Sequence, residues 1–244
     1  MCFSISLIKE REHIEDRFGA RFVGRGDFTP VYHVSAFSLP RWPVITMGDR
    51  GSIVEAVWGL IPSWTEDDEA AERIRRMTFN AKAETLTVKP SFRGALDGGR
   101  CIVPVDGFFE WHERGGRKFP HYVRRLDKEA FAVAGLYDVW VSPDEEKIST
   151  FTVITTDANR LLSEVHNTRK RMPALLPREK EVAWLDPDAP EKDALAMLRP
   201  YPRCDLEAYP VSRLIGGRGV DTNVPEAVEK KSYRELSSAN ERLF

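Results

Sequence analysis

Between Arg100 and Asp157 the chain strings together four runs of β-branched and aromatic residues, RCIVPVDGFFEW, FPHYVRR, FAVAGLYDVW and STFTVITTD, broken only by turn and charge signals. Extended runs this close together pair with their neighbours, so the centre reads as an antiparallel or barrel-like sheet. Earlier segments extend it. Ser4 to Leu7 starts a strand, PVYHVSAF and RWPVIT read as short strands, the second with prolines at its edge, and SIVEAVWGLIPSW as a buried strand ending at Pro62. Ile14 and Phe18, four apart in a charged background, mark a helix over 9–18. TEDDEAAERIRRM reads as a helix with Thr65 as N-cap, and DANRLLSEVHN as one opening at Asp157 with His166 near its end. MPALLP, EVAWL and LEAYPVS read as further strands, with a helix in APEKDALAMLRP. The expected fold is α+β: a strand-rich, mainly antiparallel barrel-like sheet with a few flanking helices. It lacks the βαβ alternation and Gly-rich turn of nucleotide-binding folds. Residues 1–224 are expected to form a single domain, followed by a charged helix or tail over 225–244.

With 244 residues, 42% of them hydrophobic, the chain can bury one core of ordinary size. No apolar run approaches the roughly eighteen residues of a membrane span, and the start lacks a basic stretch followed by an apolar one. The expectation is a cytoplasmic monomer with no membrane contact. Cys2, Cys101 and Cys204 are odd in number and widely spaced, which argues against a disulfide framework. His13, His33, His112, His121 and His166 show no zinc-site spacing, so no metal and no cofactor are expected. A formal net charge of -2 gives no global case for nucleic-acid binding. Local basic faces remain open at Arg73, Arg75 and Arg76, at Lys82, Arg93 and Arg100, and at Arg169, Lys170 and Arg171. Each also fits a solvated surface.

Cys2 follows the initiator methionine. Once Met1 is removed, Cys2 carries a free amine beside its thiol. The amine titrates near ~7.7–8.0, so part of it is nucleophilic at neutral pH. The thiol, near ~8.5 unperturbed, is the stronger nucleophile once deprotonated. Toward an aldehyde the amine adds, loses water to give a Schiff base, and the thiolate closes on the same carbon to form a thiazolidine. Serine or threonine would close a more labile oxazolidine, and an internal cysteine has no amine. The alternative is an ordinary small residue leading into a strand.

Three stretches carry groups that could assist. In FNAKAETL, Asn80 precedes Lys82 and Glu84; in RCIVPVDGFFEWHE, Glu110 interrupts an apolar and aromatic strand; in EVHNTRKRMP, His166 sits at a helix end beside a basic triplet. Taken singly, Asn80 fits a helix cap, Glu110 the outward face of an edge strand, and His166 a surface residue favoured by the helix dipole.

Taken together with Cys2, these motifs resemble the SRAP family, named for SOS-response-associated peptidase. WGLIPSW at 58–64, NAKAET at 80–85, RCIVPVDGFFEW at 100–111, FAVAGLYDVW at 131–140, FTVITTDAN at 151–159 and VHNTRKRMP at 165–173 stand in family order. The resemblance implies a sensor that captures abasic sites in single-stranded DNA as a thiazolidine crosslink on Cys2, in the DNA damage response. It implies that Asn80 orients the reacting group and that Glu110, desolvated between aromatics, has a raised pKa and assists ring opening and Schiff-base proton transfers. His166 would be the second acid/base group. Lys82, Arg93, Arg169 and Arg171 would bind phosphates, and Trp64 would stack on a neighbouring base or belong to the core. The chain departs from the family at Phe3 and Ser4, where Gly and Arg are usual, at Lys82, where Arg is usual, and in YHVSAF at 32–37. Two rival readings are a cysteine peptidase or amidohydrolase with Cys2 as nucleophile and His166 as base, including autoproteolytic exposure of Cys2, and a noncatalytic single-strand-binding module.

Overall fold

A computed structural model describes residues 2–24, 28–217 and 219–237. The N-terminal third contributes β1 (Ser4–Leu7), α1 (Arg11–Phe18), β2 (Arg21–Phe22), β3 (Val31–Ser35), β4 (Arg41–Thr46) and β5 (Asp49–Trp58). Then come α2 (Asp68–Arg75), β6 (Asn80–Lys82), α3 (Pro90–Gly98), β7 (Arg100–Val105), β8 (Gly107–Arg114) and β9 (Arg117–Arg125). The chain continues through β10 (Phe131–Val141), β11 (Lys147–Asp157), α4 (Arg160–Val165), β12 (Arg171–Pro173) and β13 (Leu175–Leu176). It ends with α5 (Arg178–Trp184), α6 (Glu191–Met197), β14 (Leu206–Pro210) and α7 (Arg234–Ser237).

The expected strand-rich α+β architecture is present. Five strands close a barrel in the order β11-β10-β7-β4-β5, shut by a parallel pairing of β5 with β11 at Val57–Thr150 and Trp58–Phe151. β10 and β11 can lie so close because residue 135 is glycine: a Cβ there would stand 2.8 Å from the Thr152 carbonyl and 2.9 Å from Cys101 Sγ. A second, antiparallel sheet runs β14-β9-β8-β1-β3. The chain passes from barrel to sheet at Asp106-Gly107, where the Asp106 carboxylate accepts from the backbone N–H groups of Ile8 and Lys9. Beside it Tyr122 covers Gly107 and shares a hydrogen bond of 2.8 Å with Ser6 Oγ, tying β9 to β1.

The core packs between these sheets. Trp42, Trp58 and Trp184 are fully buried, and each indole N–H donates to a backbone carbonyl, at Pro104, Phe79 and Cys101 respectively. Their polar atoms are therefore satisfied, as buried indoles require. Central strands are buried on both faces, and β8 is one: Gly107 to Glu110 are all buried. Glu110 thus lies on an interior strand between β9 and β1, not on an edge.

Local assignments differ at several places, and β5 is one: it ends at Trp58 and not at Pro62. Asp67, not Thr65, caps α2, because its carboxylate reaches the N–H of Ala70, whereas Thr65 is buried with its carbonyl accepting from Trp140. Asn159, not Asp157, caps α4 through the N–H of Leu162. EVAWL is helical, within α5: Trp184 and Glu181 share its buried face, which overrides the strand propensity of a short apolar run. The proline of RWPVIT does not define an edge either, since Pro43 pairs with Glu55 inside β4, between β7 and β5. Residues 225–237 pack on the second sheet: Ala227 is buried, Lys231 N donates to the Pro210 carbonyl and Tyr233 Oη to that of Val211. The remainder of the 225–244 segment lies outside the described residues, as does Met1. Among the described residues no helix is long and apolar enough to cross a membrane.

Candidate active site

Cys2 precedes β1 and is completely buried; its thiol donates to the Ser4 carbonyl at 3.6 Å. Burial, and then the neighbouring charge of Glu110, push the thiol well above its ordinary pKa. It is therefore a protonated thiol at neutral pH and needs a base to become a nucleophile.

A candidate base is close by. Glu110, projecting from the middle of β8, is 1% exposed, and burial pushes its carboxyl up to about 7. Its Oε2 lies 3.3 Å from Nδ1 of His166, the residue that caps the C-terminus of α4. Burial lowers His166 to about 4, so its imidazole is neutral at pH 7. Nδ1 also stands 3.1 Å from the Arg171 carbonyl. A carbonyl can only accept, so the proton sits on Nδ1 and the lone pair is left on Nε2.

Asn80 opens β6, which joins the sheet beside β11. Its amide nitrogen and oxygen are both buried and neither has a hydrogen-bond partner among the described residues. Leaving such a group unpaired costs on the order of 1–3 kcal/mol, which makes Asn80 a candidate to hold a reacting group. The ring of Phe79, just before Asn80, packs edge-on against Phe3, just after Cys2, with centroids 6.4 Å apart. The structure thus brings three separate sequence motifs together.

Glu110 and His166 open onto a cleft of about 520 Å³ whose walls include Phe3, Ser4, Phe37, Trp111, Lys118 and Arg169. A family model described as SOS response associated peptidase (SRAP) matches residues 1–217, nearly the whole of this frame. The chain belongs to the SRAP family. It is 37% identical over 232 residues to the abasic site processing protein YoqW of Bacillus subtilis, covering 94% of this chain and 99% of that one. With the abasic site processing protein HMCES of Gallus gallus it shares 32% identity, over 70% of this chain and 55% of the other. A crystal structure of a Bacteroides thetaiotaomicron protein superposes with a TM-score of 0.88 at 35% identity, covering 95% of this chain and all of that one.

Within this SRAP frame the basic candidates separate. Arg169 is exposed at the cleft, and Lys82 on β6 and Arg93 on α3 are exposed elsewhere; none of the three pairs with a carboxylate among the described residues. Arg171 is spoken for: its guanidinium bonds Glu84, Asp157 and the Thr155 carbonyl, which fixes β12 to β11. Arg100 is 2% exposed and donates to the carbonyls of Trp184, Leu96 and Asp186, so it is a piece of the core. Arg73, Arg75 and Arg76 pair with Glu69 and Glu72 along α2. Trp64 is 57% exposed, not core, and borders a separate depression of about 410 Å³ against α3 and β10. Phe37, Lys118 and Trp111 were not singled out from the sequence as site residues. Nothing in their local pattern marks them, because a cross-strand neighbour or a turn tip is placed by the sheet and not by its own motif.

Proposed function

We propose that this protein captures abasic sites in single-stranded DNA by forming a thiazolidine crosslink on Cys2 after removal of Met1. The observation that carries this is the buried pair of Glu110 and His166, 3.3 Å apart at the cleft, with the buried Cys2 thiol under the charge of the Glu110 carboxyl. An abasic nucleotide is an aldehyde in equilibrium with its ring-closed form, and a single strand presents it without unstacking cost.

Each group has a step. His166, neutral with its lone pair on Nε2, accepts the anomeric hydroxyl proton of the ring-closed sugar and hands it to the ring oxygen as the C–O bond breaks, which leaves the aldehyde, a free sugar hydroxyl and a neutral imidazole. The Cys2 amine adds to the aldehyde carbon, and Glu110 in its acid form protonates the departing hydroxyl, so that water leaves and an iminium remains. The Glu110 carboxylate then takes the thiol proton, and Sγ closes on the same carbon. One water is lost and Glu110 ends as it began. A carboxyl near 7 suits both halves of this cycle. Asn80 supplies an unspent donor and acceptor for the reacting group. Arg169, Lys82 and Arg93 take phosphates, and Trp64 takes a base beyond the cleft.

The test is an oligonucleotide with one abasic site, incubated with protein whose Met1 is removed and resolved on a denaturing gel. Wild type gives a heat-stable shifted band; Cys2→Ala, Cys2→Ser and Met1-retaining protein give none. A peptidase would instead tolerate a blocked amine and turn over a peptide substrate without any adduct.

A further inference from the structure

We propose that Phe37, backed by Phe3, is a stacking platform for the nucleobase next to the abasic nucleotide. The platform deepens the strand-capture function proposed above and presupposes it. An abasic nucleotide has no base of its own, so any stacking that holds the strand over Cys2 must come from a neighbour.

The rings are arranged for that task. Phe3 and Phe37 stack with centroids 5.0 Å apart and planes 28° from parallel, and Phe79 closes edge-on against both, at 6.4 and 5.4 Å. Phe79 is 4% exposed, whereas Phe37 is 62% exposed. The inner members of the cluster are anchored in the core while Phe37 faces outward.

A lone exposed phenylalanine is ordinary on a protein surface. This one sits on a pinned backbone. Phe37 rides a short 3-10 turn, Ala36–Ser38, whose start is capped by the Ser35 hydroxyl and whose Ala36 N–H donates to the Phe3 carbonyl at 2.8 Å. Ser4 and Ser35 are directly opposed in the β1–β3 pairing, so the segment that carries Phe37 is locked to the segment that carries Cys2. The cost of ordering the platform is met in the free protein.

Its surroundings fit a nucleic-acid strand. Phe3 and Phe37 line the same cleft as Glu110 and His166, and Arg169 lines it too, exposed and unpaired among the described residues. A flat ring for a base and a cation for a phosphate, lining one cleft with Glu110 and His166, are the two elements of single-strand binding. Ser4 brings no charge to the cleft, so stacking carries more of the grip here than it would beside a further cation.

The experiment uses full-length protein with Met1 removed and three oligonucleotides: one with 2-aminopurine beside the abasic site, one with base-less tetrahydrofuran residues on both sides of it, and an undamaged strand carrying 2-aminopurine. Expected for wild type is a change in 2-aminopurine fluorescence on binding, abolished in Phe37→Ala and kept in Phe37→Trp. At subsaturating DNA, Phe37→Ala should slow crosslinking roughly tenfold, the scale of one lost base stack. On base-less flanks wild type and Phe37→Ala should react at the same rate. The platform is overturned if Phe37→Ala loses the same factor on base-less flanks as on normal ones, or if the fluorescence change is identical in both proteins. A wild type that crosslinks nothing yet shows Phe37-dependent fluorescence on the undamaged strand would sink the capture chemistry and leave the platform standing.

Discussion

Glu110 Oε2 and His166 Nδ1 lie 3.3 Å apart with both side chains almost fully buried, yet near neutrality they are not an ion pair. Burial holds the carboxyl up to about 7 and the imidazole down to about 4. Between those values the acid is mostly protonated and the base mostly neutral. The contact sets a carboxyl that can give or take a proton beside an imidazole held neutral, and its stability cost follows from the same shifts.

That cost sets the first prediction. The folded pKa of Glu110 is above the ordinary 4.5. Its contribution is therefore intact below pH 4.5 and lost as pH rises through about 7, where the buried carboxyl must ionise. Glu110→Gln removes the titration. Its stability relative to wild type should rise by about 3 kcal/mol between pH 4.5 and 8, from roughly 1.4 kcal/mol per pKa unit. Urea unfolding at the two pH values measures it. A difference that stays flat with pH would show that the carboxyl is not held up by burial.

The same carboxyl should shape the rate of crosslinking. Amine attack needs the free α-amine, which gains as pH rises toward ~7.7–8.0, while dehydration needs Glu110 in its acid form. Wild type should give a bell-shaped profile, with the alkaline limb set by Glu110 near 7. Glu110→Gln should be slower by at least about tenfold and should keep climbing to a plateau above pH 8. Quenched time courses from pH 5.5 to 9 distinguish the two shapes; an alkaline limb that survives in Glu110→Gln would assign it elsewhere.

The sequence was legible where residue type alone dictates structure. The long runs of β10 and β11 could hardly be anything but paired strands. Glu110 could be suspected from its aromatic flanks, Phe109 and Trp111, but its burial comes from β8 having neighbours on both sides, a tertiary fact. Arg100 and Arg171 show the opposite limit. Both stood in basic clusters that fitted a phosphate face, and the fold spends both internally, Arg100 on three carbonyls and Arg171 on two carboxylates. A guanidinium's partners lie 80 or more residues away in most of these bonds, so no local pattern could reveal them. Phe37 was invisible for the same reason: its meaning depends on Phe3 across a strand pairing.

Gly107 offers a structural test of how the catalytic strand is placed. A Cβ there would fall 2.3 Å from the Tyr122 ring, so Gly107→Ala must displace either β8 or the tyrosine that bonds Ser6. Overpacking of this kind costs about 1–3 kcal/mol. Thermal unfolding should show that loss, and crosslinking should slow as well, because Glu110 is three residues along the same strand. Pairing Gly107→Ala with Tyr122→Ala makes room for the methyl group; the double variant should then be no less stable than Tyr122→Ala alone.

The division among the arginines makes the final prediction. Phosphate contacts release counterions, so each one lost should reduce the slope of log affinity against log salt by about 0.7 for a single strand. Arg169→Gln, Lys82→Gln and Arg93→Gln should each flatten that slope with little loss of stability, since all three side chains are exposed and pair with no carboxylate among the described residues. Arg100→Met should do the reverse. It orphans the carbonyls of Trp184, Leu96 and Asp186 and should cost several kcal/mol, at about 1–3 per unsatisfied buried group, while the folded fraction keeps the wild-type salt slope. Titrating a fluorescent single strand at four salt concentrations, beside urea unfolding of each variant, reads both quantities. If Arg100→Met flattened the slope while leaving stability untouched, the basic cluster at 82–100 would have to be redrawn as a DNA face that includes a buried guanidinium.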